Sequence, residues 1–558
     1  MEKRLIAAIV LSFLVLIGYQ LLFVKPKPQT PEAQLQPPGV VAKTGGEPAG
    51  QVSLPAFKEA RPAATPLGAP NLKATGARAE TEVMVETSLY RAVWTNKGGV
   101  LRSWKLKKQL NDKKEPLDLV PAQAQDMGRF PFALAADDRA LAASLNTALF
   151  EASVTQLELK DGQTGEIRFS YSDGKSVRAE KSIRFTGGTY ETGIDIHVWV
   201  NGQETMPSLI WGPGFGNPSA SELKKRITST SIGAAVYSGG KVYRLDEKKY
   251  KAETNAWNFV DWAAYEDNYF AALFVLPPQK GQAMFLQETA APKEGQAQAP
   301  AVYFLSVTRP EMAFIGPKNF DALKGFGHEA RKAINFGAFG SIAEILLISV
   351  KYFYKLIPNW GIAIILLTLV IKIIFFPLTY SSTKSMAKMA DLQPKLKAIR
   401  SKYKKAKSDL DQRRQMNEEM MKLYKEHGVN PAGGCLPLLI QLPIFWGVFR
   451  MLAASVEFRH APFVLWIQDL SVSDPTYVTP ILMGVTQFIT QKMTPTTADP
   501  AQAKMMLVMP VIMTVFFMNF QSGLILYWLT TNVLQIAQQA IMNRMMGRQK
   551  RNTNGKRR

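Results

Sequence analysis

The chain has 558 residues, of which 47% are hydrophobic and 20% charged, and its formal net charge is +22. This length allows more than one domain, and a single cysteine, Cys435, excludes an intrachain disulfide. The basic residues concentrate beside long apolar segments, which indicates anionic lipid as a partner and argues against specific binding of nucleic acid.

The N-terminal segment, residues 1–24, predicts an uncleaved transmembrane anchor. Twenty residues from Leu5 to Val24 carry no charge, enough to cross a hydrocarbon core and longer than the apolar part of a cleaved signal peptide. Lys3 and Arg4 precede this run, so we expect the N-terminus in the cytosol.

The next segments predict a linker and a large extramembrane domain. Residues 25–80 are rich in proline and form a semi-extended linker. Residues 81–330 show short runs of alternating apolar and polar residues between glycine-rich turns, which predicts a periplasmic antiparallel β-sandwich. His197 has no paired acid or second histidine near it, so we expect an exposed histidine at the rim of this domain rather than a catalytic one.

Two apolar segments follow the β domain. Residues 333–357 predict an amphipathic helix that lies on the outer surface of the membrane. The alternative is that they form the start of a longer transmembrane segment. Residues 358–381 predict transmembrane segment 2, whose only charge is Lys372. A lysine inside such a run costs about 2.5–3.5 kcal/mol of insertion free energy unless a wet cavity or an escape route relieves it.

We interpret Lys372 as the cation of a hydrophilic groove, with Thr368 one helical turn before it. The alternative is that Lys372 snorkels, with its ammonium reaching the cytosolic headgroups along the four-carbon side chain.

Residues 382–430 predict a cytosolic helical hairpin. The stretch 381–430 contains thirteen Lys or Arg and six Asp or Glu, and such an excess of positive charge is typical of the cytosolic side. Apolar residues at helical spacing form two stripes separated near residues 407–409. The stripes include Met389, Leu392, Leu396 and Met420. The basic face is expected to contact anionic lipids.

Four further apolar runs complete the predicted topology. They are residues 434–454, 476–493, 504–521 and 523–543, followed by a basic cytosolic tail at 544–558. Together with the anchor and segment 2 they make six spans with both termini in the cytosol. The predicted fold is therefore a multi-pass α-helical membrane protein with a periplasmic β-sandwich and a cytosolic helical hairpin.

Polar side chains are unusually frequent in these last spans. Trp528, Asn532 and Gln535 share one helix face, and buried amides in hydrocarbon need partners or water. Hydrogen bonding between helices is the alternative explanation. The hypothesis is a substrate groove that comprises Lys372, Thr368, Gln441, Gln487, Trp528, Asn532 and Gln535.

Several motifs in the right order resemble a known family. They include KSMAKM at 384–389, NPAGGCLP at 430–437, LIQLPIF at 439–445, PILMGV at 480–485 and QKMTPTT at 491–497. With these motifs, residues 335–545 closely resemble the YidC-type membrane protein insertases of bacteria, and the anchor and β domain match the layout of Gram-negative members.

The resemblance implies a hydrophilic groove that is open to the cytosol and to lipid but closed outward. It also implies a hairpin that captures substrates and a periplasmic domain of sugar-mutarotase-like shape without established catalysis. The implied partners are nascent membrane proteins, ribosome–nascent chain complexes and the Sec translocon. The family's groove cation is usually an arginine, and Lys372 at the matching position keeps the charge but loses the bidentate fork.

The predicted function is insertion and folding of proteins in the bacterial inner membrane, without enzymatic activity or a cofactor. The substrate's own apolar helix partitions into lipid, a downhill step that needs no ATP. One alternative is a transporter or channel that uses Lys372 as an anion or proton site. Another is a periplasmic sugar-binding or isomerising enzyme that the anchor tethers to the membrane.

Overall fold

A computed structural model describes residues 73–555 apart from 112, 217–231, 251–254, 290–300, 404–408, 430–435 and 495–499. The predicted anchor at 1–24 and most of the linker at 25–80 lie outside the described residues. A β domain occupies the first part of the described chain, and helices occupy the remainder.

The β domain contains three sheets. One has ten strands and two have five each within the described residues. The strands are β1 Glu82–Glu86, β2 Tyr90–Thr95, β3 Val100–Leu110, β4 Pro116–Asp118, β5 Ala133–Ala135, β6 Glu151–Ala152, β7 Gln156–Glu158, β8 Thr164–Ser172, β9 Val177–Thr186, β10 Glu191–Val200, β11 Gln203–Thr205, β12 Ser208–Trp211, β13 Gly233–Ser238, β14 Lys241–Asp246, β15 Ala256–Asn258, β16 Val260–Glu266, β17 Phe270–Val275, β18 Gln282–Thr289, β19 Ala301–Thr308 and β20 Met312–Pro317.

Both five-stranded sheets pack against the ten-stranded sheet. Trp94 of β2 lies with its ring centroid 6.2 Å from that of Phe185 in β9. Trp211 of β12, in the other small sheet, lies 6.1 Å from Phe274 of β17. These rings are fully buried or nearly so, and the core therefore lies between the layers. Among the described strands, pairing is antiparallel except for β1 with β7, so a largely antiparallel β domain is confirmed.

The β8–β9 hairpin shows how the sequence builds these strands. Ile167 and Phe169 are buried on β8 and Ile183 on β9, with polar neighbours between them, as the alternation predicts. The Asp173 carboxylate accepts hydrogen bonds from the backbone N–H groups of residues 175, 176 and 177, which closes the turn. The predicted hairpin is thus present.

The helices are α1 Ala122–Met127, α2 Arg139–Thr147, α3 Phe320–Phe326, α4 Gly340–Leu356, α5 Trp360–Asp391, α6 Gln393–Lys402, α7 Leu410–Glu426, α8 Leu436–Ala454, α9 Val478–Met493, α10 Pro500–Phe517 and α11 Ser522–Gly555. Short 3₁₀ turns lie at Glu247–Lys249, Ala330–Ala333, Gly337–Phe339 and Val456–Phe458. Helix α11 packs against α5, α8 and α9 and is the central helix of this part.

Helix α5 is longer than the sequence analysis predicts. It runs through the boundary between segment 2 and the hairpin without interruption, because residues 378–391 contain neither glycine nor proline. The helix breaks instead at Leu392, directly before Gln393-Pro394, and α6 starts there. Pro394 has no backbone N–H and its ring crowds the carbonyl four residues earlier, that of Ala390, which accounts for a break that the hydrophobic stripe did not reveal.

Two helices of the described chain are long and apolar enough to cross a membrane, namely Gly337–Leu356 and Trp360–Asp391. Shorter apolar helices lie at Leu439–Ala454 and Met506–Phe517. Helix α4 buries Ala343, Leu347 and Val350 against the bundle, and it leaves an apolar stripe exposed on the other side. The stripe consists of Ile345, Ile348, Tyr352 and Leu356.

Polar contacts join the β domain to the helices. Glu457, which follows α8, is buried and accepts hydrogen bonds from the Asn319 side chain and from the backbone N–H of Phe320, at 3.1 and 3.2 Å. These groups form the N-terminus of α3, so a carboxylate from the helical part caps a helix of the β domain. Lys351 of α4 lies 2.6 Å from Asp321 and 3.6 Å from Glu457. Burial raises the pKa of Glu457, and the charge of Lys351 opposes that rise.

Candidate substrate groove

Helix α5 places Lys372 against the central helix. Asn359 caps the N-terminus of α5: its side-chain oxygen accepts from the backbone N–H of Ile362 at 3.1 Å, and a continuous apolar run follows. The Lys372 ammonium donates to the Gln535 side-chain oxygen of α11 at 2.9 Å. Among the described residues no carboxylate lies within ion-pairing distance of Lys372. The cation is therefore held by a neutral amide.

A cavity of about 30 Å³ lies beside Lys372 between α5, α8 and α11. Such a volume holds about two water molecules. Its lining combines apolar side chains with hydroxyl and amide groups. The polar members are Thr368, Lys372, Thr379, Gln441, Tyr527 and Thr531. The cavity thus brings six polar side chains together within a largely apolar lining.

The hydroxyl groups on α5 leave their oxygen atoms available to the cavity. Thr368 donates to the Ile364 carbonyl at 2.7 Å, and Thr379 donates to the Phe375 carbonyl at 3.0 Å. Each donor is thereby satisfied within its own helix, while an oxygen lone pair remains on the polar side. Together with the Gln441 amide, these groups can solvate a cation or bind water.

Three of the expected groove residues lie elsewhere. Trp528 donates to the Gln487 side-chain oxygen at 3.3 Å. Asn532 donates to the Met483 carbonyl at 3.2 Å and to the Thr486 hydroxyl at 3.3 Å. These contacts join α11 to α9, and the alternative explanation, hydrogen bonding between helices, fits them. The structure brings together Lys372, Thr368, Gln441 and Gln535, but leaves Gln487, Trp528 and Asn532 outside the cavity lining.

Sequence reasoning missed three polar residues of the cavity. Tyr527 and Thr531 precede Gln535 at steps of four, so all three lie along one side of α11. Thr379 follows Lys372 by seven residues, or two helical turns. A search for polar residues at helical spacing from Lys372 and from Gln535 identifies all three.

The expected hairpin residues form a small core of their own. Met389, Leu392 and Leu396 pack with Val429, and side chains of α7 cover the cluster. Met420, Leu423 and Tyr424 are the covering residues. The hairpin of α6 and α7 thus has its own apolar contacts, and Met389, Leu392, Leu396 and Met420 hold it together.

His197 is better paired than its sequence neighbourhood suggests. Its ring lies 2.6 Å from Glu204 and 2.9 Å from Asp195, so the expectation that no acid pairs with it is wrong. Glu204 comes from the neighbouring strand β11, which folds back on β10 in an unpredicted hairpin. The hydrogen bond to Glu204 raises the pKa of His197. The ring is 39% exposed, as expected for a rim position.

Comparison with known proteins gives matches along nearly the whole chain. Residues 82–349 match the family described as YidC periplasmic domain, and residues 352–550 match the family described as 60Kd inner membrane protein. The membrane protein insertase YidC of Geobacter metallireducens is 38% identical over 555 residues, covering 98% of each chain. That of Syntrophus aciditrophicus is 36% identical and covers 98% of this chain and 100% of its own.

Among solved structures, the chain is similar to an active YidC insertase crystal structure with its first transmembrane domain resolved. The identity is 20%, the TM-score is 0.35, and the match covers 83% of this chain and 93% of the other. A galactose mutarotase related enzyme from Lactobacillus acidophilus matches 41% of the chain at 10% identity and a TM-score of 0.26.

A β-sheet periplasmic domain joined to a helical membrane core defines an inner-membrane protein of the insertase class. The chain belongs to the YidC family of membrane protein insertases, with relatives of 35–38% identity along its length. It is an insertase rather than an enzyme, and its substrates are membrane proteins.

Proposed function

We propose that the cavity beside Lys372 is the resting form of the groove through which the hydrophilic part of a substrate crosses the membrane. One observation carries this proposal. Lys372 lies on a helix that is apolar enough to span the membrane, yet its ammonium bonds to a neutral amide and pairs with no carboxylate among the described residues. A structural lysine in such a place is expected to have an acidic partner, since an uncompensated charge is costly.

The proposed step begins when α5, α8 and α11 separate, because 30 Å³ is far too small for a peptide segment. Water and the polar side chains then shorten the apolar path that the substrate's hydrophilic segment must cross. Lys372 attracts acidic residues of that segment, while the apolar helix of the substrate partitions into lipid. The free energy comes from that partitioning, so no nucleotide is required.

The proposed topology places six spans in the inner membrane with both termini in the cytosol. The charge of α6 and α7 supports a cytosolic hairpin, where it meets substrates emerging from ribosomes. We further propose that the protein acts alone or beside the Sec translocon, and that its basic hairpin face contacts anionic lipids. The proposed domain boundaries are those of the sequence analysis, with the interfacial segment at 333–357 and the hairpin at 382–430.

A transporter or channel is the second candidate, since a cation with only a neutral partner among the described residues also suits an anion site. Membership in the insertase family speaks against it. Flux measurements in liposomes test this candidate directly: selective ion or solute flux would support it.

Substitutions at Lys372 test the groove. We expect Lys372→Arg to retain insertion, since the charge is kept, and Lys372→Glu to lower it most, since it repels acidic segments. Lys372→Ala should lie between them, with a several-fold loss for a substrate with an acidic translocated tail and little loss for a neutral tail. Protease mapping of both substrates in liposomes measures this.

If Lys372 only snorkels, alanine or leucine at this position should be neutral or stabilising, because the insertion cost of about 2.5–3.5 kcal/mol disappears. Wild-type insertion of both substrates by Lys372→Ala would therefore contradict the groove.

A further inference from the structure

The loop between α8 and α9 ends in an apolar tip that the insertase activity does not explain. The tip consists of Val464, Leu465 and Trp466, whose side chains are 49%, 71% and 36% exposed. No charged residue lies between His460 and Asp469. Three consecutive exposed apolar residues between the buried residues Ala461 and Ile467 mark an interaction surface.

The tip is closed by backbone hydrogen bonds rather than being an open loop end. The Phe463 N–H donates to the Ile467 carbonyl at 2.9 Å, and the Ile467 N–H donates to the Val464 carbonyl at 3.1 Å. Leu465 has a φ of +54°, a left-handed conformation that is uncommon for a bulky residue. Trp466 donates from its ring nitrogen to Asp474 at 3.3 Å. The backbone thus holds Leu465 outward in a conformation that its surroundings must enforce.

The loop is fixed to the outer ends of two membrane helices. Asn359, the residue that caps α5, donates to the Phe463 carbonyl at 3.0 Å. Gly361 lies two residues after Asn359 and packs so closely against the Phe463 ring that a Cβ at this position would clash with it. At α11, the N–H groups of Ser522 and Gly523 donate to the carbonyls of Val472 and Leu470, at 2.7 and 3.0 Å.

These contacts determine the height of the tip. Helix α5 begins at Trp360, directly after α4, which connects it to the periplasmic domain. The start of α5 therefore lies on the periplasmic side. Because Phe463 bonds to the cap of α5, the tip lies at the level where this helix enters the membrane. The Trp360 ring stacks on Tyr354 at 4.0 Å, and aromatic rings at this level are typical of the membrane–water interface.

We propose that Val464, Leu465 and Trp466 insert into the outer leaflet of the inner membrane at headgroup depth. The tip carries two aliphatic side chains and one tryptophan without charge, which suits the boundary between headgroups and acyl chains. Because the same loop holds the starts of α5 and α11, its contact with lipid keeps the outer ends of both helices at one height. This inference does not depend on the role of Lys372.

Quenching of a fluorescent probe tests the proposal in the full-length protein. Cys435→Ser provides a background without cysteine, into which Leu465→Cys is introduced and labelled with an environment-sensitive dye. Lys175→Cys, exposed in the β8–β9 turn, is the aqueous reference, and Val511→Cys, 63% exposed on α10, is the lipid reference. The proteins are reconstituted in phosphatidylethanolamine–phosphatidylglycerol vesicles that carry a shallow nitroxide lipid.

We expect the probe at position 465 to be blue-shifted relative to that at 175, and to be quenched several-fold more by the nitroxide lipid. Iodide added outside should quench it several-fold less than the probe at 175. Iodide quenching equal to that at position 175 would overturn the proposal. Protection from iodide without quenching by lipid would overturn it as well, because a second copy of the chain or another protein would then cover the tip. Val464→Cys repeats the measurement at a neighbouring position.

Discussion

Lys372 illustrates how a side chain can be accommodated in the folded bundle and still be able to bind an acidic group of a substrate. Its Nζ has one neutral partner, Gln535, at 2.9 Å. A hydrogen bond to a charged group contributes about 1.5–3 kcal/mol, which offsets part of the cost of a cation in the bundle. A carboxylate would bind the same ammonium more strongly than an amide does. In the proposed mechanism, Gln535 therefore occupies the position that an acidic residue of the substrate would take.

Replacement of Gln535 by glutamate tests this competition. In Gln535→Glu a resident carboxylate pairs with Lys372, so insertion of a substrate with an acidic translocated tail should fall several-fold, toward the level of Lys372→Ala. A neutral-tailed substrate should be affected little. Insertion assays with the two substrates measure the difference.

The matched control is Gln487→Glu, an amide of α9 that bonds to Trp528 and lies outside the cavity lining. It introduces the same charge into the same bundle without reaching Lys372. An equal loss in both variants would show that a buried carboxylate harms the bundle in general, and the competition would be refuted.

At this scale the sequence indicates which side chains are chemically unusual, whereas only the structure shows which of them lie together at the cavity. The lone charge of an apolar run identified Lys372, and helical spacing led from it to Thr368. The position of Gln487, Trp528 and Asn532 outside the cavity lining could not be predicted, because a stripe on one helix does not reveal which neighbour it faces. Tyr527 was missed because a tyrosine in a span is commonly a packing residue.

Strand β9 shows an element stabilised by an unusual buried group. Lys181 is 1% exposed, and its ammonium donates to the carbonyls of Gly98 and Phe132 at 2.7 and 2.9 Å and to that of Gly99 at 3.3 Å. Three acceptors match the three donors of an ammonium. Burial nevertheless lowers the pKa of Lys181 to about 7. One side chain thus joins β9 to the turn before β3 and to the segment before β5.

This pKa predicts how the stability of the β domain depends on pH. An unfolded lysine has a pKa near 10.4, so between pH 7 and 10 the unfolded state binds more protons and stability rises with pH. The gain from pH 7 to 9 is of the order of 2 kcal/mol. Urea unfolding of the full-length protein, followed by near-UV circular dichroism of the buried tryptophans, measures it.

Lys181→Met supplies the control, since methionine has a similar length and no charge. Its unfolding free energy should lack the rise between pH 7 and 9 that the wild type shows. Parallel pH dependence in the two proteins would mean that Lys181 does not titrate in this range.

Elements were predicted more reliably than their ends. The β8–β9 hairpin followed from alternation and from Asp173-Gly174, both local signals. The β10–β11 hairpin was missed, since β11 has only three residues and its partner is set by tertiary pairing. Helix α5 extends past the predicted end of segment 2 because charge marks the membrane boundary, whereas the end of a helix depends on local stop signals, and residues 378–391 contain no glycine or proline.

The described part of the chain consists of a β domain and a helical part, which share one continuous apolar core and are also joined by polar contacts. Asn319 and Phe320 of the β domain bond to Glu457 of the membrane part, and Asp321 pairs with Lys351. The cavity residues belong to α5, α8 and α11, so none comes from the β domain. The chemistry of insertion is therefore expected to reside in the helices.

Deletion of residues 82–310 tests this division. The truncated chain keeps the junction at Glu457 and every polar residue of the cavity, so substantial insertion should remain in cells depleted of the wild-type protein. Protease mapping of newly made small membrane proteins measures it. Complete loss at normal expression of the truncated chain would place the function in the β domain.

The central claim is that the cavity beside Lys372 receives the hydrophilic segment of a substrate. Site-specific photocrosslinking during insertion tests it most directly. The photoreactive residue replaces Thr379, which lines the cavity, or Ile345, which is 65% exposed on the side of α4 that faces away from the bundle. We predict crosslinks from position 379 to the translocated segment of a stalled nascent chain, and none from position 345. Equal crosslinking from both positions, or from position 345 alone, would contradict the account.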